Sequence, residues 1–186
     1  LVGDDLVFAA DDGVHGLELW RTDGTADGTF LLGDLRPGAE SSTLNAVGML
    51  SGRLYFSASD GTTTALWRTD GTAAGTTSVA SIPTFYMAGT VLGAALFFSV
   101  WTSTSGPELW RTDGTAAGTE RFLDINPTGS SDPVIIGRLG NRLVLRANDG
   151  THGSEPWITD GTVAGTELLK DINPGTGSSG FGAFTF

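Results

Sequence analysis

One string, ELWRTDGTADGT, runs from Glu18 to Thr29 and returns three times with small changes. ALWRTDGTAAGT starts at Ala65, ELWRTDGTAAGT at Glu108 and EPWITDGTVAGT at Glu155. The repeated Asp falls at 23, 70, 113 and 160, spacings of 47, 43 and 47 residues. Repetition at such a period constrains a chain strongly. Each copy must be one supersecondary unit that buries its apolar surface against its neighbours.

The turn chemistry inside a repeat predicts four strands. In the second copy TLNAVGML (Thr43 to Leu50) ends at Ser51-Gly52, and RLYFSA (Arg53 to Ala58) ends at Ser59-Asp60-Gly61. ALWRT (Ala65 to Thr69) then enters DGTAAG, and TTSVASI (Thr76 to Ile82) closes the unit. No segment has an apolar 3.6-residue period, so no helix is expected. The short spacing has a visible cause. Three copies end in long loops, LRPGAESST, INPTGSSDP and INPGTGSSG, whereas the second has only IPTF, Ile82 to Phe85.

Four-stranded antiparallel units of this size predict an all-β β-propeller of four blades. The expected blades are 181–186 with 1–35, then 43–82, 85–125 and 133–172, together one domain. The Trp of each copy (Trp20, Trp67, Trp110, Trp157) is expected between neighbouring sheets. FGAFTF at 181–186 matches the first strand of a unit, and LVGDDLVFAA at 1–10 matches the turn and second strand. Pairing of these segments would close the ring; a fragment of a larger propeller is the alternative. The chain opens on Leu1, as a processed, trimmed or fragmentary product would.

The ELWRTDGTAAGT string, with DINPG and SS downstream, resembles the repeat of the bacterial ELWxxDGT family. The resemblance covers all four units and departs at Ala65, at Pro156 and after Ala80. It implies a propeller-like fold in large, mostly secreted or surface-associated bacterial proteins. It supplies no catalytic residue.

Charge narrows the partners. The chain of 186 residues has a formal net charge of −11, and Lys170 is its one lysine. Phosphate backbones and anionic membranes need clustered cations, so neither nucleic acid nor membrane insertion is expected. The longest apolar patch, Val91 to Val100, is strand-sized. Without Cys there is no disulfide and no thiolate zinc site.

Each DGTxxGT reads first as a tight turn, with Gly supplying positive φ and Asp accepting backbone N–H groups. Calcium at Asp23, Asp70, Asp113 and Asp160 is the secondary reading, since one recurring carboxylate per copy is far from six to eight oxygens. No cofactor is otherwise expected. His15 in DDGVHG and His152 in NDGTHG occupy equivalent turns beside Asp11, Asp12 and Asp149. They are candidate ligand-binding residues, or simply the ends of polar turns.

The chain has no nucleophile elbow, HExxH, P-loop or dinucleotide fingerprint. The strands expected innermost carry no Asp or Glu, which argues against a carboxylate pair near an axis. No enzyme is expected. Trp101, in the loop VWTSTSGPE expected to replace the DG turn of the third unit, breaks the repeat. It is either a stacking platform for a sugar or partner side chain, or a cover for the preceding strand. It shares a face with the two histidines and the long loops, where the repeats differ most. The expected function is an extracellular or surface-displayed bacterial module that binds protein or glycan. The alternatives are a lectin and a structural spacer joined to further copies or flanking domains.

Overall fold

The computed structural model describes residues 1–180 and 182, with the backbone alone at 85 and 86. Fifteen strands and no helix occur among the described residues. Strands β1 (Leu6–Asp11), β2 (Leu17–Thr22) and β3 (Phe30–Gly33) form a three-stranded sheet. Strands β4 (Thr43–Leu50), β5 (Arg53–Ser59), β6 (Thr64–Thr69) and β7 (Thr77–Ser81) form the second sheet. The third holds β8 (Thr84–Leu92), β9 (Ala95–Thr102), β10 (Gly106–Thr112) and β11 (Glu120–Leu123). The fourth holds β12 (Val134–Leu139), β13 (Arg142–Asn148), β14 (Ser154–Thr159) and β15 (Glu167–Leu168). Every pairing is antiparallel between chain neighbours, as short hairpin turns require.

The repeat shows in the irregularities as well. In the first three sheets the register shifts at the Leu-Trp step, Leu19/Trp20, Leu66/Trp67 and Leu109/Trp110. A bulge there bends the strand just before its DGT turn.

The sheets belong to two compact units. One comprises Leu1–Phe85 with Gly114–Ala116, the other Tyr86–Asp113 with Ala117–Phe186. In the first unit, Leu19 and Leu32 pack on Phe56 and Ala58, and Trp67 stacks on Phe56 with ring centroids 6.5 Å apart. In the second, Phe97, Leu109 and Phe122 pack on Leu143, Leu145 and Ala147, with Phe97 and Phe122 edge to face at 5.1 Å.

The four repeat tryptophans are only half-buried, contrary to the expectation that they fill the space between sheets. Leu and Phe from alternate positions supply most of each core, and Trp67 and Trp157 pack against its edge. The ring closure expected from residues 181–186 lies outside the described residues.

Candidate functional sites

The DGTxxGT turn accounts for each of its recurring letters. Asp23 Oδ1 accepts from Thr25 N at 2.9 Å and Thr25 Oγ1 at 2.7 Å. Asp70 and Asp160 do the same for Thr72 and Thr162. The first Gly has φ near +90° in all four copies, a region costly for other residues. The second Gly gives room to the carboxylate, for a Cβ on Gly28 would stand 2.0 Å from Asp23 Oδ1. The last Thr donates back to the third residue's carbonyl, Thr29 Oγ1 to Thr25 O at 2.6 Å. These bonds hold Asp23, Asp70 and Asp160 below the ordinary carboxylate range, the Thr hydroxyl first among the causes. Among the described residues no group of three or more His, Cys, Asp or Glu is arranged to hold a metal.

Both histidines lean on the aspartate three residues back. His15 Nδ1 lies 2.7 Å from Asp12 Oδ2, and His152 Nδ1 lies 2.7 Å from Asp149 Oδ2. The same carboxylates accept the His15 and His152 backbone N–H groups at 2.8 Å. Each imidazole is raised above its usual value, chiefly by that side-chain bond. Asp12 falls to about 2, most of all through the His15 N–H. The structure therefore pairs each His with its own turn.

Trp101 lies in β9 one pair from its end, opposite Pro107, rather than in a loop. The β9–β10 connection is only Ser103 to Ser105. In the other repeats this register position carries Asp11, Ser59 or Asn148. Each accepts the N–H of a Gly two residues on, at 2.7, 3.2 and 2.7 Å. In the third repeat that duty moves one residue along, to Thr102 Oγ1, which accepts Ser105 N at 3.1 Å. Trp101 is thereby released from the turn and stands 44% exposed.

The sequence reading passed over the motif glutamate. Glu18, Glu108 and Glu155 are each 0% exposed. Glu18 accepts Leu35 N at 3.1 Å, Arg36 N at 3.2 Å and Ser42 Oγ at 2.8 Å. Glu155 accepts Ile172 N at 3.1 Å and Asn173 N at 3.4 Å. Burial pushes Glu155 up, but the Ile172 N–H, the Ser179 hydroxyl and the Asn173 N–H outweigh it and its net shift is downward. Glu108 accepts chiefly from Ser131, so burial prevails and lifts it. The motif Glu is thus the clamp of the long loop. The second repeat has Ala65, and its loop is the short IPTF.

The Gly two residues before the clamp completes the device. Gly16 has φ +69°, and a Cβ there would meet Glu40 C at 2.7 Å; at Gly153 it would meet Gly177 O at 2.4 Å. The loop lies directly on this backbone. In the second repeat the position is Thr63. In the three loop-bearing repeats the loop Asp Oδ1 (Asp34, Asp124, Asp171) and the Trp Nε1 (Trp20, Trp110, Trp157) are also buried without a hydrogen-bond partner among the described residues. Such a donor and acceptor are chemically complementary.

A cleft of about 380 Å³ lies in the second unit, at the DGT end of the third and fourth sheets. Leu92, Ala95, Arg111, Asp113 and Asp160 are among its walls. It sits at the opposite end of β9 from Trp101.

No family model matches the chain, and no curated protein matches it. Among solved structures it is similar to the crystal structure of TolB from Acinetobacter baumannii, with a TM-score of 0.56 at 10% sequence identity. The match covers 91% of this chain and 42% of that one, so the chain spans less than half of that structure's length. At this identity the likeness bears on fold alone, and with the strand order it makes the scaffold an all-β, β-propeller-like one.

Proposed function

We propose that the chain is a non-enzymatic binding or adhesion module on a β-propeller-like scaffold, displayed outside a bacterial cell as the resemblance to ELWxxDGT proteins implies. The observation that carries this reading is Trp101. It occupies a position that caps a turn in every other repeat, and it stands 44% exposed beside Thr102 and Ser105. A large exposed indole suits a partner surface or a sugar ring. The turns on that end of the sheets differ among repeats while the DGT turns do not, the usual division between recognition and scaffold.

The non-enzymatic part rests on residue chemistry. His15 and His152 are each tied to the turn aspartate, and the first strands of the second to fourth sheets carry neither Asp nor Glu. A glycan array probed with the wild-type protein and with Trp101→Ala tests the reading. Glycan signals that vanish in the variant favour the lectin form of it. Signals that ignore the substitution remove Trp101 from the glycan site, and a screen of surface proteins with the same pair then decides the protein-binding form.

A further inference from the structure

In the first repeat, Arg21 Nη1 lies 2.9 Å from Asp5 Oδ2 and 3.4 Å from the Gly71 carbonyl. Arg68 Nη1, in the same unit, donates to Gly114 O at 3.0 Å. Arg111 occupies the equivalent position in the third repeat but bonds differently. Its Nε and Nη2 donate to Glu120 Oε1 at 3.1 and 2.7 Å, and its Nη1 has no partner among the described residues.

The cause can be read from the register. Leu6 stands opposite Thr22 as Leu96 stands opposite Thr112, so Val2-Gly3-Asp4-Asp5 aligns with Leu92-Gly93-Ala94-Ala95. The carboxylate that meets Arg21 is replaced by the methyl group of Ala95. The space it would occupy lies in the cleft of about 380 Å³ lined by Ala94, Ala95 and Arg111. The Arg111–Glu120 pair does not lock this arrangement. Its side chains are 38% and 50% exposed, and pairs so exposed contribute little.

We infer that this cleft binds a sugar acid, a polyhydroxylated ring bearing a carboxylate, with Arg111 Nη1 taking the carboxylate as Arg21 Nη1 takes that of Asp5. The rest of the wall selects for the hydroxyls. Asp160 lines the cleft, its Oδ1 is engaged by Thr162, and its Oδ2 makes no bond among the described residues. The Thr162 hydroxyl holds this carboxyl below the ordinary range, so at neutral pH it only accepts hydrogen bonds. Asp113 is a second carboxylate in the wall. A bare anion meets repulsion from both, whereas a ring hydroxyl can donate to Asp160 Oδ2. Leu92 and Ala95 offer an apolar surface to the ring's C–H groups. The site is independent of Trp101, at the other end of β9.

Calorimetric titration with methyl β-glucuronide, methyl β-glucoside and sodium acetate tests the inference. The glucuronide should bind roughly tenfold or more tightly than either of the others, because each lacks one half of the recognition. Ala95→Asp restores the carboxylate that the first repeat already accommodates, so it should cut glucuronide binding by about tenfold or more without lowering the melting temperature. Arg111→Gln should cut binding similarly and serves as the test if Ala95→Asp does not fold. Trp101→Ala should leave this binding unchanged, so failure here and failure of the Trp101 reading are told apart. Equal binding of glucuronide and glucoside, undiminished binding in both cleft variants, or no glucuronide binding at about 10 mM would overturn the inference.

Discussion

The Glu18 carboxylate accepts a hydrogen bond from the Ser42 hydroxyl at 2.8 Å, joining two buried residues that stand 24 apart in the chain. With the bonds from Leu35 and Arg36 it fastens a whole loop to β2. A buried carboxylate is costly unless donors surround it, and here the loop supplies them. Glu18→Ala should therefore destabilise the protein by about 2–3 kcal/mol, since the loop's N–H groups lose their acceptor. Thermal or chemical unfolding measures it, and a loss below about 0.5 kcal/mol contradicts the clamp.

The second repeat offers the converse. Ala65→Glu restores the motif letter where the loop is absent, so the new carboxylate finds no donors. This change should lower the melting temperature even though it brings the sequence closer to the repeat consensus. A rise would mean that the Glu is favoured for some reason other than the loop.

Two glycines in one turn separate backbone strain from close approach. Gly13 has φ +78° with nothing within 4 Å of a Cβ, whereas Gly16 has φ +69° and would place its Cβ 2.7 Å from Glu40 C. Gly13→Ala should cost about 1 kcal/mol, the ordinary penalty for a side chain in the left-handed region. Gly16→Ala should cost about 2 kcal/mol or more, because the loop backbone must also move. Equal losses in unfolding experiments contradict the packing of the loop on this glycine.

Much of the fold is legible in the sequence. Turn signals at Ser51-Gly52 and Ser59-Asp60-Gly61 mark hairpins where the second sheet has them, and the repeat string marks the β6–β7 turn. The half-burial of the Trp is less legible, because a repeated aromatic in mid-strand reads as full core, while Leu19, Phe56 and Leu145 take the innermost places and Trp67 and Trp157 pack at the edge. The clamp was also written in the chain. Gly16, Glu18 and the long loop occur together, and Thr63, Ala65 and IPTF occur together; only the fold shows that these three positions touch. The cleft was the least legible feature. It depends on Ala95 standing where Asp5 stands, an equivalence that becomes visible once Leu6 and Leu96 are in register.

The His15–Asp12 pair makes a prediction about pH. His15 is raised from 6.5, so its contribution is complete below that value and is lost as pH rises through the folded one. Asp12 is lowered from 3.8 to about 2, so its contribution is complete above 3.8 and is lost as pH falls through about 2. The pair is therefore fully effective between pH 3.8 and 6.5. Titration of the His15 ring by NMR should show a value above 6.5 that returns toward it in Asp12→Asn. A His15 titration indifferent to that substitution contradicts the pairing.

Asp70 tests the DGT turn. Its carboxylate accepts Thr72 N at 3.1 Å and Thr72 Oγ1 at 2.7 Å, both within the turn itself. Asp70→Ala should lower the melting temperature, by less than Glu18→Ala because the site is exposed. The loss should be the same with calcium and with chelator. A wild-type melting temperature that falls steeply on chelation would show instead that the repeated Asp is a calcium ligand.

Whether Trp101 serves recognition rather than the fold is decided by a paired measurement on Trp101→Ala. Melting temperature and affinity for the glycan or protein found by screening are to be determined on the same preparation. The turn is capped by Thr102, and Trp101 stands outside the packed cluster of Phe97, Leu109 and Leu145. Trp101→Ala should keep a melting temperature close to wild type and lose about 2 kcal/mol or more of binding, roughly thirtyfold. A large fall in melting temperature with affinity intact would contradict the recognition role.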